Sequence, residues 1–316
     1  MHTPPALKDH RVRATPGSDV CHGEVKWSPA KSLWFTGMAA AGFIGGAVVF
    51  DWTAFSAFLL STALVLLLGH SVGMHRRLIH GSFQCPLWLE YFLVYCGTLV
   101  GISGPLGLLH THDMRDFAQR LPRCHDYFAH RQPALIDHYW QVHCDLKLVN
   151  PPALAIEDRI ANDPFYCFLE RTWMWQQLPW VLLCFWLGGW AMVCWAVCAR
   201  VSICVLGHWL VGYFAHREGP MHYEVQGAAV QGHNVRFCAL LTMGESWHNN
   251  HHAFPGSAKL GLAPGEWDPG WWFLKGLEIF GLAWNLRTQS DLPFRPELRQ
   301  LTVEDGDALH LRSLST

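Results

Sequence analysis

The chain has 316 residues, of which 51% are hydrophobic and 15% are charged, and its formal net charge is −2. Soluble domains carry about 25% charged residues, so this composition favours a membrane protein. The near-neutral charge gives no indication of a nucleic-acid partner. The eleven cysteines form no CxxC pair, and we expect reduced thiols rather than a structural zinc site.

Four long apolar runs predict two helical hairpins across a bilayer. Each run of the first hairpin covers about 27 Å as a helix, close to the thickness of the hydrocarbon core. Gly188-Gly189 marks the turn of the second hairpin. Arg200 lies inside that hairpin, and the cost of a charge in the membrane predicts a polar partner for it. The predicted spans are 33–50, 52–70, 172–188 and 190–215.

The distribution of basic residues predicts the topology. Residues 1–32 carry five Lys and Arg, whereas the turn at Asp51 carries none, so we expect the N-terminus on the cytoplasmic side. Two hairpins then return the chain to that side each time, and the C-terminus is also cytoplasmic. The apolar residues 86–109 are interrupted by Glu90 and several glycines. We therefore interpret them as an interfacial or protein-buried segment rather than a further span.

The predicted fold class is an all-α integral membrane protein with four transmembrane helices in two hairpins. A cytoplasmic helical cap completes it and holds a histidine-rich site for two metals. The predicted organisation is a cytoplasmic N-terminal segment (1–32), a membrane domain (33–290) and a polar C-terminal tail (291–316).

Histidines cluster on the predicted cytoplasmic side. His75 and His80 follow the second span, and His216 follows the fourth. A single histidine at a membrane interface is usually only an amphipathic surface residue. Groups that end two separate hairpins instead favour a site for iron, copper or zinc. His75 and His80 lie about 140° apart on an ideal helix, so they need either two metals or a distorted helix end.

The third group, "HNNHH", contains His248, His251 and His252. Their spacing of three and four residues places all three on one face of a helix, which suits ligation of two neighbouring metals. Other histidines are ambiguous, and several lie close enough in sequence to the clusters to act as donors that orient a ligand. These ambiguous residues are His125, His130, His143, His208, His222 and His233.

The groups resemble the histidine boxes of the membrane fatty acid desaturases, especially the acyl-CoA (delta-9 type) branch. "GMHRRLIHGSF" resembles the HxxxxH box of that family, and "GESWHNNHHAFP" resembles its HxxHH box with the flanking residues. "DPGWWFLKGLEIFGLAWNL" resembles the segment that follows. "HWLVGYFAH" resembles the end of the fourth span, which implies that His216 binds a metal. The resemblance covers about residues 33–290 and implies a four-span enzyme whose cytosolic cap holds two irons.

The middle box departs from the family pattern HRxHH. The matching stretch begins at His112 and has Arg115 and Asp116 where histidines are expected. Arginine has no lone pair for a metal, whereas a carboxylate is a good ligand for iron. Gly212 stands where the family usually has an asparagine. The implied metal ligands are His75, His80, His112, Asp116, His216, His248, His251 and His252.

These departures leave three outcomes open: a re-tuned di-iron site, one weakened iron site, or a protein that has lost the chemistry. His110 or His125 could compensate for a missing ligand, and Glu245 or Asp116 could tune or bridge the metals.

The resemblance implies an O2-dependent di-iron (Fe2+) desaturase of fatty acyl chains. Two alternatives are an acyl-chain hydroxylase on the same fold and a non-catalytic membrane lipid-binding homologue. The chain has no GxGxxG nucleotide motif and no haem-domain signature, so we expect a ferredoxin or a b-type cytochrome as electron donor. The substrate is an acyl-CoA, an acyl carrier protein conjugate or a glycerolipid, lying in an apolar tunnel. Trp209 and residues 86–109 are candidate tunnel walls.

Overall fold

The computed structural model describes residues 11–302, so residues 1–10 of the predicted N-terminal segment and 303–316 of the predicted tail lie outside it. The described chain is mostly helical, as the sequence predicts. The helices are α1 (29–48), α2 (Trp52–Ile79), α3 (Leu87–Leu99), α4 (Pro105–Arg120), α5 (Asp126–Ala129), α6 (Ala134–His143), α7 (Asp158–Ala161), α8 (Pro164–Thr172), α9 (Trp175–Ala215), α10 (His248–Ala253) and α11 (Pro269–Ile279).

Three small antiparallel sheets accompany the helices, which the all-α prediction did not include. The strands are β1 (Val12–Arg13), β2 (Asp19–Trp27), β3 (Cys144–Asn150), β4 (Ala153–Leu154), β5 (Tyr223–Val225) and β6 (Leu298–Gln300), paired β1–β4, β2–β3 and β5–β6. Val20 of β2 is buried against Met114 and Tyr127, so the N-terminal segment packs over α4 and α5. Each strand pairs with one far away in the sequence, and local patterns carry no signal for such pairs.

Two helices, α2 and α9, are long and apolar enough to cross a membrane by length and composition. The carboxylate of Asp51, at the predicted turn, caps α2 by accepting a hydrogen bond from the backbone N–H of Ala54 at 2.8 Å. The last part of α2, Val65–Ile79, is π-helical. It carries the predicted membrane segment into the first histidine group.

Helix α9 folds back on itself at the predicted turn. Gly188 and Gly189 leave helical geometry, and Gly189 has a φ of 62°, which favours glycine. The side-chain oxygen of Gln177 accepts a hydrogen bond from Arg200, although a straight helix would separate these residues by about 35 Å. The two halves of α9 are therefore antiparallel neighbours.

Arg200 has the polar partners that its position requires. Its side chain is buried and donates to the carbonyl oxygens of Ala196 and Leu99 as well as to Gln177. The amide of Gln177 also donates to the Leu99 carbonyl at 3.1 Å. This network ties the hairpin of α9 to the end of α3.

Helix α3 occupies the interrupted apolar segment 86–109. It has 13 residues and is about 20 Å long, shorter than a hydrocarbon core of about 30 Å. Leu93 and Val94 are fully buried. Glu90 is also buried, and its carboxylate accepts hydrogen bonds from Arg77, Arg159 and Tyr166. One face of the helix is therefore buried in the protein, while Leu87, Trp88 and Phe92 are 49–61% exposed.

Replacing Gln177 by leucine should destabilise the protein by about 1–3 kcal/mol, because the buried guanidinium of Arg200 loses an acceptor that nothing replaces. Thermal unfolding of the detergent-solubilised chain measures this loss. Gln176→Leu is the matched control, since its amide donates to the hydroxyl of Thr172 one turn away and not to the Arg200 network. Equal unfolding temperatures for the two variants would contradict a role for the Gln177–Arg200 pair.

Candidate metal centre

A π-helical turn brings His75 and His80 together at the end of α2. The N–H of His80 donates to the carbonyl of His75, five residues earlier, at 3.0 Å. Residues five apart therefore lie on the same side, and the two ring centroids are 4.7 Å apart. Of the two arrangements that the sequence left open, the structure has the distorted helix end.

The first cluster consists of four histidines from three parts of the chain. One ring nitrogen from each lies within 4.8 Å of all the others. Nε2 of His80 and both ring nitrogens of His251 are buried and have no hydrogen-bond partner among residues 11–302. Such nitrogens are costly unless something else binds their lone pairs. The residues are His75, His80, His112 and His251, and this arrangement fits a metal ion.

The carboxylate of Glu245 lies against one histidine of the first cluster. Its Oε2 lies 2.6 Å from Nδ1 of His75, and its Oε1 accepts a hydrogen bond from the hydroxyl of Ser71 at 2.5 Å. A carboxylate on the far ring nitrogen is the usual companion of a metal-binding histidine, because it fixes the tautomer and the ring orientation.

The second cluster consists of His216, His248 and His252. Their Nε2 atoms form a triangle with sides of 3.0, 3.1 and 3.3 Å. Nitrogens bound at about 2.1 Å on adjacent positions of an octahedral metal would be about 3.0 Å apart. Nδ1 of His216 donates to the Gly212 carbonyl at 2.6 Å, so the lone pair of the neutral ring is on Nε2 and faces the other two.

Burial keeps these imidazoles neutral. It holds the pKa values of His80, His216, His251 and His252 well below the usual value and lowers the pKa of His248 to about 4. Neutral imidazole is the form that binds a metal.

The carboxylate at the middle box is ionised. Burial opposes its charge, but His112 and Arg120 hold the pKa of Asp116 far below its usual range. Burial likewise opposes the charge on His112, while Asp116 and Asp113 raise its pKa. The lowered pKa leaves Asp116 in the form that ligates iron.

Asp116 lines the same cavity as His75 and His248, but it is not part of either histidine cluster. Its Oδ2 accepts a hydrogen bond from Arg120 at 3.4 Å. Arg115, in the position of a lost ligand, donates to the side chain of Gln141 at 2.6 Å. The structure thus brings seven of the eight predicted ligands into two clusters, and the ligand role of Asp116 stays a prediction.

Neither histidine suggested as a replacement for a middle-box ligand joins a cluster. His110 is exposed on α4, and Nδ1 of His125 accepts a hydrogen bond from the backbone of Tyr127 at the start of α5. Within residues 11–302, both lie outside the two groups.

A cavity of about 640 Å³ leads from the long helices to the histidines. This size lies within the range of roughly 300–1,000 Å³ for small-molecule sites. Its walls are mainly apolar and include Ile102 and Leu108, as predicted for the 86–109 segment. The lining from the long helices includes Leu59, Leu66, Ile203, Leu210, Val211 and Phe214.

The cavity also contains two histidines that sequence reasoning did not place there. His70 and His208 line it, with ring centroids 5.3 Å apart. Trp209 is not among the lining residues, and its indole N–H donates to Asp137 at 2.8 Å. A contact between Trp209 and a substrate stays a prediction.

The chain is similar to known desaturases over most of its length. It is 35% identical to the sn-1 stearoyl-lipid 9-desaturase of Anabaena variabilis, over 84% of this chain and 94% of that protein. The chain belongs to the membrane fatty acid desaturase family. It is 33% identical to the sn-1 stearoyl-lipid 9-desaturase of a Synechocystis strain, over 75% of this chain and 73% of the relative. It is also 30% identical to the acyl-CoA 5-desaturase AL21 of Anemone leveillei, over 81% of this chain and 78% of that protein. No family model matches the chain.

Membership of this family makes the chain an oxidoreductase of the desaturase type, as the two outer histidine boxes predict. The histidine clusters indicate a metal-binding protein, and the two long apolar helices indicate a membrane protein.

The metal-free protein should lose stability as the pH falls from about 6.5 towards 4. The pKa of His248 is about 4 in the folded chain and about 6.5 in an unfolded one, so the unfolded chain binds more protons in this window. This contribution is complete above pH 6.5 and decreases below it. Unfolding temperatures of chelator-treated protein between pH 7.5 and 5 measure the effect.

His248→Gln should weaken this pH dependence, because one titrating group is removed. His222→Gln is the control, since the side chain of His222 is 44% exposed. An identical pH profile for native protein and His248→Gln would show that burial of His248 does not produce the dependence.

Proposed function

We propose that the chain is an O2-dependent di-iron desaturase that introduces a double bond into a fatty acyl chain. The observation that carries the proposal is the pair of histidine clusters at one end of a largely apolar cavity. The reaction removes one hydrogen from each of two adjacent carbons. With O2, two electrons and two protons, it yields the alkene and two molecules of water.

The residues present fit two metal ions. His75, His80, His112 and His251 would hold one, and the triangle of His216, His248 and His252 would hold the other. Asp116 would complete the first set as a carboxylate ligand. Iron bound there would supply the oxidising strength that no side chain provides for an unactivated C–H bond.

The protein's own residues contribute positioning and exclusion of water. The carboxylate of Glu245 lies against the ring of His75, and the Gly212 carbonyl holds the ring of His216 by a hydrogen bond. The apolar walls of the cavity would hold an extended alkyl chain away from bulk water, so that adjacent carbons present their hydrogens to the clusters. The ordered walls and oriented imidazoles would thereby select one pair of carbons.

We propose four membrane spans with the termini and the clusters on the cytoplasmic side. Helix α2 and the two antiparallel halves of α9 supply three spans, and α1 supplies the fourth. Large apolar side chains on their surfaces support this arrangement, since a soluble protein rarely exposes so many together. They include Val48, Leu60, Trp186 and Trp190, which are 63–81% exposed. The basic residues before α1 favour the cytoplasmic side.

A lipid or coenzyme A would carry the acyl chain, because the relatives are stearoyl-lipid and acyl-CoA desaturases. An acyl carrier protein conjugate is the remaining candidate. Two electrons per turnover would come from a separate ferredoxin or b-type cytochrome, since the chain has no nucleotide-binding or haem motif of its own.

Expression in a host that lacks unsaturated fatty acids tests the proposal. Lipid mass spectrometry should detect acyl chains that are two hydrogens lighter. His75→Ala should abolish this product, because the first cluster loses a ligand, and equal amounts of folded protein serve as the control. A product that gains one oxygen would instead identify a hydroxylase. Folded, iron-loaded protein without any product would favour the lipid-binding alternative.

Asp116→Ala should lower the iron content after dialysis against a chelator, because the first cluster loses its carboxylate. Asp116→His should retain iron, since it supplies an imidazole in the family pattern. Asp158→Ala removes an exposed carboxylate on α7 and serves as the matched control. Iron content is measured per purified chain by mass spectrometry. Unchanged iron retention in Asp116→Ala would exclude Asp116 as a ligand.

A further inference from the structure

His130 lies beside the second cluster and is not explained by the metal ligands described above. Its side chain is 1% exposed, and its ring stacks on that of His216 with centroids 5.4 Å apart and planes 7° apart. Its Nε2 is buried and has no hydrogen-bond partner among residues 11–302. A buried lone pair next to a triangle of imidazole nitrogens requires a partner.

A carboxylate orients this ring as it would a metal ligand. Nδ1 of His130 lies 2.9 Å from Oδ2 of Asp137, and that oxygen also accepts the indole N–H of Trp209 at 2.8 Å. A carboxylate acceptor places the proton on Nδ1 and leaves the lone pair on Nε2. Burial, partly offset by Asp137, lowers the pKa of His130 to about 4, so the ring is neutral.

The backbone at His130 is held in a left-handed conformation, with φ of 51°. This conformation is uncommon for a residue other than glycine, and it persists where the surrounding structure imposes it, often at functional sites. Here it ends α5 and turns the side chain towards α9. The left-handed backbone costs free energy, and no hydrogen bond of Nε2 to the described residues offsets this cost.

Gly212 provides the space that the ring occupies. A Cβ atom at this position would lie 3.1 Å from Nε2 of His130 and 3.3 Å from Cε1. The asparagine expected here from the family pattern would compete with the imidazole for this space. The glycine at this position is therefore what leaves room for the ring of His130.

We infer that His130 is a ligand of the second metal and replaces the imidazole lost at Arg115. This inference rests on the proposed di-iron function. The second cluster has three histidines and the first has four, so one more imidazole would balance them. The ring nitrogens of each cluster lie within 4.8 Å of one another, and His130 is not in either cluster. Its ring must therefore move towards the second cluster when the metal binds. Asp137 and Trp209 would then act as positioning residues.

The test uses His130→Gly, because glycine accepts the positive φ and leaves a cavity that free imidazole can fill. The full-length chain is loaded with ferrous iron under anaerobic conditions, with and without millimolar imidazole. Iron per chain should fall from about two to about one, and imidazole should restore the second ion. Affinity for the second ion, measured by chelator competition, should fall at least tenfold and recover in parallel.

The matched control is His125→Gly, which removes a histidine at the other end of α5 that is not near either cluster. It should bind two ions regardless of imidazole. Gly212→Ala is the second variant, and the added methyl group should weaken binding of the second ion because it displaces the ring of His130. A purely structural role for His130 would not produce the imidazole rescue.

Two results would overturn the inference. His130→Gly could bind the second ion as tightly as the native chain, which would exclude a ligand role. Native protein could bind one ion with an affinity that His130→Gly leaves unchanged, in which case His130 does not ligate that ion and no second ion is bound for it to ligate. Binding of no iron by the native chain would overturn the proposed function as well, so the two failures are distinguishable.

Discussion

The buried ion pair between Arg76 and Asp268 fixes the geometry on which the first cluster depends. The guanidinium is 1% exposed and donates to Asp268 at 2.7 Å and to the Ala258 carbonyl at 3.0 Å. Asp268 also caps α11 through the N–H of Trp271. Removing one partner of such a pair costs about 3–5 kcal/mol, because the other charge stays buried. Since Arg76 follows His75, the pair positions the end of α2 against the segment that follows α10.

Local patterns in the sequence were sufficient to predict the long helices and the shared helix face of the third histidine group. The break at Gly188-Gly189 could be predicted because this glycine pair interrupts an apolar run. The polar partners of Arg200 could be predicted because a buried charge is costly unless it is paired. His248, His251 and His252 could be placed on one face because helical spacing is regular. His75 and His80 were ambiguous, since their proximity depends on a π-helical hydrogen bond that composition does not reveal.

Features that depend on distant parts of the chain could not be predicted. The pairing of β2 with β3 joins segments more than 100 residues apart. His130 appeared in the sequence only as an ambiguous histidine, because its relation to His216 is created by the packing of α5 against α9. The space at Gly212 was visible as a departure from a family pattern, but which side chain fills it is a property of the folded chain.

If Asp116 and His130 are both ligands, the altered middle box changes the charge of the site more than the number of its ligands. With Asp116 as a ligand, the first cluster would have one carboxylate bound directly to the metal, in addition to Glu245 beside His75. With His130, the second cluster would contain only imidazole ligands, and the carboxylate of Asp137 would contact the ring of His130 rather than the metal. A ligand carboxylate stabilises the more highly charged state of a metal more strongly than a remote one does. Two irons held in this way would therefore not be equivalent, and the one beside Asp116 would be the easier to oxidise.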